Sequence, residues 1–280
     1  MVYDSHDLFA DAGSTAARSA PVRRVVRWLE RRWAGQADAV ITVNEGLRAA
    51  LTERLGRRDV AVVYNCPPRY DPPEPRPRRF HERLGLPADA AVVLYHGGFS
   101  AERGIEQLVA AMGRAELADV HAVCLGYGVL RGWLAEQAAD PALGGRLHVL
   151  DAVPPGELLE WVASADLGIV TIQPTTLNHR LSTPNKLWEC LAAGTPVVAS
   201  DFPQLRAIVA DAPEGPLGLV CDPADPAAIG HAVAQLLSAP AADRAALRAR
   251  CLAAAHARWN WEGQAEVLLG VYARLSGTGA

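Results

Sequence analysis

A chain of 280 residues, half of them apolar, can bury one large or two ordinary hydrophobic cores. It has no long uncharged apolar run of the kind that spans a bilayer, and its 27 basic against 31 acidic side chains give no overall positive field to draw in nucleic acid or an anionic membrane. Cys66, Cys124, Cys190, Cys221 and Cys251 are widely scattered with no C-x-x-C pair, which argues against a zinc site or a disulfide scaffold and suits a reduced cytoplasm. The opening MVYDSHDLF lacks a basic flank followed by an apolar stretch, so no secretory signal is expected.

In chain order, VYDSH at the start reads as a strand. Residues 18–33, RSAPVRRVVRWLERRW, read as a helix with Val22, Val25, Val26, Leu29 and Trp33 on one face and arginines around the rest. Packed normally it buries the apolar face; as a basic amphipathic helix it is the candidate for peripheral contact with the inner face of a membrane. DAVITV (38–43) and VAVVYN (60–65) follow as strands. Residues 67–79 carry six prolines among charges and are expected to link two domains.

Beyond the linker, AAVVLYHGG (90–98), VHAVCLG (120–126), RLHVL (146–150), LGIVTI (167–172) and PVVAS (196–200) alternate with helix-length segments. Strands apolar on both faces and separated by helices predict an α/β fold with parallel sheets. About six strands suffice for a complete Rossmann-like domain over 80–255. The three strands and two helices before the linker do not, and they are expected to leave a sheet edge and a face uncovered.

Two stretches carry candidate chemistry. In YHGGFSAERGIEQLVAAM a strand meets a turn at Gly97 and Gly98, passes Arg103 and Gly104, and opens a helix with Ile105, Leu108 and Val109 at helical spacing. Such a turn lets an anion approach backbone amides at a helix start, and an ordinary tight turn with a solvated arginine is the alternative. The dinucleotide fingerprint G-x-G-x-x-G is absent. In LSTPNKLWECLAAGTPVVASD, Pro184 suits a first helical turn, Ser182 or Thr183 can cap it, and Lys186 and Glu189 share a face. Lys186 is the single lysine of the chain, every other basic residue being arginine. A lysine at a helix start suits a diphosphate, and a carboxylate one turn on suits vicinal hydroxyls such as those of a ribose. A surface Lys–Glu pair of a few tenths of a kcal/mol is the alternative.

These two stretches, with VYDSHDL, QADAVITVNEGLRAAL, LGYG, VLDAVPPGELLEWVASADLGIVT and ARWNWEGQAEVLLGVYARL in order, resemble the group-one, retaining glycosyltransferases of family four. The resemblance covers nearly the whole chain. It implies the GT-B fold of two facing Rossmann-like domains, here with a partial acceptor-side domain at 1–66, the linker at 67–79, the nucleotide-sugar domain at 80–255 and a terminal helix over 256–280 crossing back.

Carried over by position, the resemblance implies that His6 lies beside the reacting sugar. It places Gly97, Gly98, Arg103, Gly126, Val153, Ser182, Thr183, Asn185, Lys186 and Glu189 around the donor. Arg103 stands where the family usually has a lysine, and Gly98 where it usually has an arginine. Leu181 occupies the place of the first glutamate of the family's E-x7-E element, and Glu189 that of the second. The implied reaction moves a sugar from a nucleoside diphosphate donor to a glycan, lipid or small-molecule acceptor, without cofactor, metal or nucleic acid, and no Asp-x-Asp appears. A non-catalytic or truncated nucleotide-sugar-binding subunit is the competing reading.

Overall fold

The computed structural model describes residues 1–12, 15 and 18–277. Its first sheet is parallel, ordered β1 (Val2–Ser5), β2 (Ala39–Thr42), β3 (Val60–Val62), with crossovers through α1 (Ala20–Ala34) and α2 (Glu45–Leu55). On one side Ala34, Leu47, Leu51 and Leu55 pack on Val40 and Val60.

Helix α1 only partly follows the packed orientation expected of its sequence, with Val26 and Leu29 of its apolar face half-buried. Val22, Val25, Trp28 and Trp33 are exposed, the two tryptophans by 62% and 61%, and Glu30 and Ala34 are buried. The reason is polar: Arg27 and Arg54 converge on the buried Asp11, and Tyr3 donates its hydroxyl proton to Glu30 at 2.8 Å. Arginine pairing holds the Asp11 carboxyl below its ordinary range although burial opposes this.

Residues 63–78 have no regular structure, as their prolines dictate, but they pack closely along the second unit. Cys66 is buried, and Arg76 bonds the carbonyl of Ala163 and the carboxylate of Asp166. Six parallel strands follow: β4 (Ala91–Gly98), β5 (Val120–Tyr127), β6 (Leu147–Leu150), β7 (Leu167–Val170), β8 (Val197–Ser200) and β9 (Gly218–Cys221), ordered β6-β5-β4-β7-β8-β9. The intervening helices are α3 (Arg79–Leu84), α4 (Ile105–Met112), α5 (Arg131–Ala138), α6 (Leu158–Ala163), α7 (Leu177–Leu181), α8 (Asn185–Ala192), α9 (Pro203–Val209) and α10 (Pro226–Ser238).

The alternation of β4 explains its unbroken apolar run: Val92 and Leu94 enter one core and Val93 and Tyr95 the other. Helix α8 approaches the sheet at Gly168, where a Cβ would stand 2.3 Å from Cys190 Sγ. Strand β9 lies outside the runs singled out from the sequence.

Helix α11 (Ala241–Ala257) leads to α12 (Trp261–Ser276), which returns to the first sheet and places Val271 against Ile41 and Val63. None of the described helices is long and apolar enough to cross a membrane.

Three asparagines tie the first sheet to the second unit. Leu8 N–H donates to Asn178 Oδ1 at 3.0 Å, while Asn178 Nδ2 donates to Asp7. Asn65 Nδ2 donates to Asn185 Oδ1 at 2.9 Å. Buried Asn44 caps α2 by accepting from Leu47 N–H, and its Nδ2 donates to the Leu181 carbonyl and the Thr183 hydroxyl. Asn44→Ala should lower unfolding free energy by about 1–2 kcal/mol in denaturant titration, and Asn44→Ser should recover the capping share alone.

Candidate functional site

β4 has β5 on one side and β7 on the other, so the chain leaves its carboxyl end in opposite directions and opens a crevice there. A cavity of about 390 Å³ occupies this crevice, within the usual range for a small-molecule site. Its wall comes from the ends of β4 and β5, the turn before α4, the segment after β6 and the start of α8.

The turn after β4 is held by close backbone approach. Gly104 has φ 80°, and a Cβ there would lie 2.0 Å from the Thr171 carbonyl oxygen, so no larger residue fits. Glu102 adopts φ 68° without being glycine, and its carbonyl accepts from Gln173 N–H at 2.9 Å. The Tyr95 hydroxyl donates to the Gly98 carbonyl at 2.8 Å. Arg103, between these fixed points, reaches the cavity wall.

Helix α8 meets the end of β4 through two side chains. Lys186 Nζ sits 3.4 Å above the centre of the Tyr95 ring, a cation–π contact. One turn on, Glu189 Oε2 lies 2.8 Å from His96 Nε2. Burial, and then the nearby Arg103 guanidinium, draw the Lys186 ammonium down to about 7. Burial likewise lowers His96 despite the Glu189 bond, which favours the neutral ring with Nε2–H donating to the carboxylate.

Of the residues selected from the sequence, Gly97, Gly98, Arg103, Gly126, Val153, Asn185, Lys186 and Glu189 line this one cavity. Ser182, Thr183 and His6 do not. Neither Ser182 nor Thr183 caps α8, because the cap position falls on Pro184. Ser182 donates to the His179 carbonyl and Thr183 accepts from Asn44. His6 is exposed, with Nε2 3.4 Å from Asp4 Oδ1. The cavity also includes Tyr95, His96, Ser100, Tyr127, Ala152, Leu158 and Pro184, which the sequence reading did not select. The signal for His96 was a polar residue closing an apolar strand run directly before two glycines.

Residues 90–239, over half the chain, match the family described as glycosyl transferases group 1. The chain belongs to this family. Among curated relatives, the D-inositol 3-phosphate glycosyltransferase of Acidothermus cellulolyticus is 32% identical over 269 residues, covering 86% of this chain and 56% of that protein. The glycogen synthase of Mycobacterium tuberculosis is 28% identical, covering 84% and 53%. The chain therefore spans little more than half the length of these relatives.

Among solved structures, the sucrose-phosphate synthase of Thermosynechococcus elongatus superposes with a TM-score of 0.75 at 24% identity, covering 99% of this chain and 68% of that one. HepE of Anabaena, solved in complex with UDP, gives 0.75 at 19% identity, covering 99% and 72%. The fold is thus the GT-B α/β fold, with parallel sheets.

The lowered Lys186 would make the binding of an anion in this cavity proton-linked. A diphosphate beside it favours the ammonium form and raises its pKa again, so binding takes up a proton above pH 7. Affinity for a nucleoside diphosphate should fall as pH rises from 7.5 to 9, by at most about tenfold per unit. Calorimetry in buffers of different ionisation enthalpy should show proton uptake in this window that Lys186→Met abolishes.

Proposed function

We propose that this chain supplies the donor side of a retaining, family-four glycosyltransferase that moves a sugar from a nucleoside diphosphate donor to an acceptor hydroxyl. The observation that carries the reading is the convergence of Lys186, Arg103 and Glu189 on one cavity at the end of β4. Transfer releases a nucleoside diphosphate, so negative charge grows on the leaving group as the glycosidic bond breaks. Lys186 and Arg103 stabilise that charge, and they do so without a metal ion. The Lys186 side chain stands at the first turn of α8, where helix amides add to the same field.

Glu189 accepts from the ribose hydroxyls, and the wall at Gly126, Tyr127 and Val153 receives the base. The acceptor enters from the side of the first sheet. His6 lies outside the cavity wall, on the first sheet's side from which the acceptor enters. The D-inositol 3-phosphate and glycogen relatives are consistent with a polyhydroxylated acceptor, and retention of configuration follows the family resemblance.

Calorimetry against UDP, ADP and GDP tests the donor side, and sugar release from the corresponding donors tests turnover. Lys186→Ala and Arg103→Ala should each weaken binding of the preferred diphosphate by roughly 1.5–3 kcal/mol, the range for hydrogen bonds to charged groups, with little change in melting temperature. Wild-type affinity in both variants removes them from the phosphate site.

Glu189→Gln should weaken nucleoside diphosphate while leaving inorganic pyrophosphate binding near its original strength. Equal losses for the two ligands would mean that Glu189 only supports the helix.

A further inference from the structure

His96 stands at the carboxyl end of β4 and is only 3% exposed. Its Nε2 meets Glu189 at 2.8 Å, while its Nδ1 is buried without a hydrogen-bond partner. An apolar side chain would fill this corner of the sheet at lower cost, since a buried ring nitrogen without a partner is a net penalty. The single polar bond that the ring makes goes to the carboxylate facing the cavity.

The arrangement around that bond leaves Glu189 available to a ligand. Lys186, three residues earlier on the same helix face, lies over Tyr95 rather than pairing with the carboxylate. Among the described residues no other side chain hydrogen-bonds the Glu189 carboxylate, whose side chain remains 21% exposed. His96 supplies one donor to one oxygen, which fixes the rotamer and leaves acceptor capacity on the cavity side. Consecutive residues of β4 thus set the two ionisable cavity groups of α8, Tyr95 receiving Lys186 and His96 receiving Glu189.

We infer that His96 is a positioning residue that holds Glu189 for the vicinal hydroxyls of the donor's ribose, and thereby sets a preference for ribonucleotide over deoxyribonucleotide donors. The inference rests on the donor reading above, and its test separates the two. Gln and Asn at position 96 give the contrast: the Gln amide reaches the place of Nε2, whereas the shorter Asn amide stands near Nδ1 and falls short of Glu189.

The experiment measures by calorimetry the binding of UDP, ADP and GDP, of the 2′- and 3′-deoxy forms of whichever binds most tightly, and of inorganic pyrophosphate. The wild-type chain should favour the ribonucleotide by roughly tenfold, the effect of one hydrogen bond to a charged group. His96→Gln should retain most of that ratio. His96→Asn should bring it to within about twofold of unity, while pyrophosphate affinity and melting temperature stay near those of His96→Gln. A ratio unchanged in His96→Asn overturns the inference, as does a ratio lost equally in both variants. A wild-type chain that binds pyrophosphate but discriminates against no deoxy form overturns it as well. A wild-type chain that binds none of the three nucleotides overturns the donor reading itself, and this inference with it.

Discussion

Helix α8 must bury one face completely while offering the other to a ligand, and the geometry of the cavity depends on both demands being met together. Leu187, Trp188, Cys190 and Leu191 fill the core beneath it, and Trp188 alone contacts Tyr64 and Trp259 with ring centres 5.4 and 5.6 Å away. Lys186 and Glu189 fall on the remaining arc because positions three apart share a helix face. A helix seated this tightly, with Gly168 removing even a methyl group from the contact, cannot rotate to bring its polar residues elsewhere. The end of β4 then completes the fit through Tyr95 and His96. Helix α8 thus holds Lys186 and Glu189 more firmly than a loop would, whereas Arg103 comes from the turn before α4.

The same seating explains the unusual state of Lys186. An ammonium on an exposed helix would stay charged well above neutral pH. Packed over an aromatic ring and beside Arg103, it loses water without forming an ion pair among the described residues to offset the loss, and its proton becomes easy to remove. A lysine tolerates this change of charge, whereas an arginine would remain cationic and leave the cavity with two permanent positive charges. Retention of one lysine in an arginine-rich chain therefore has a physical rationale at this position.

Much of this was legible in the sequence, because parallel strands buried on both faces and helices opened by proline leave strong local patterns. The Gly97–Gly98 turn, Arg103, and the Lys186–Glu189 spacing could be placed on elements from residue type and period alone. His96 could not be selected in the same way: its importance comes from a partner 93 residues away, and no local pattern records that contact. Ser182 and Thr183 fit a capping pattern locally, but the helix takes Pro184 as its cap; the Ser182 hydroxyl turns back to the His179 carbonyl three residues earlier, and only Thr183 meets a distant partner, Asn44. Helix α1 shows the converse. Its apolar spacing was clear, yet the arginine contacts to Asp11, made across the fold, decided which face turned inward. Strand β9 is short, and Gly218 opens it, so its β signal is weak.

The asparagine ties between the first sheet and the second unit have a mechanical consequence. Each of Asn44, Asn65 and Asn178 is uncharged, and among the described residues no ion pair links residues 1–63 with the segment from 80 to 255. Bonds between neutral groups exchange with water at a net loss of about 1 kcal/mol each, and the bond from Asn178 to the Asp7 carboxylate at about 1.5–3 kcal/mol. Parting the two units along this seam then calls for rehydrating amides and modest apolar area around Leu181, rather than separating charges. Separating the units along such a seam would depend little on ionic strength, because electrolyte screens pairs of opposite charges and none of the described ion pairs crosses it.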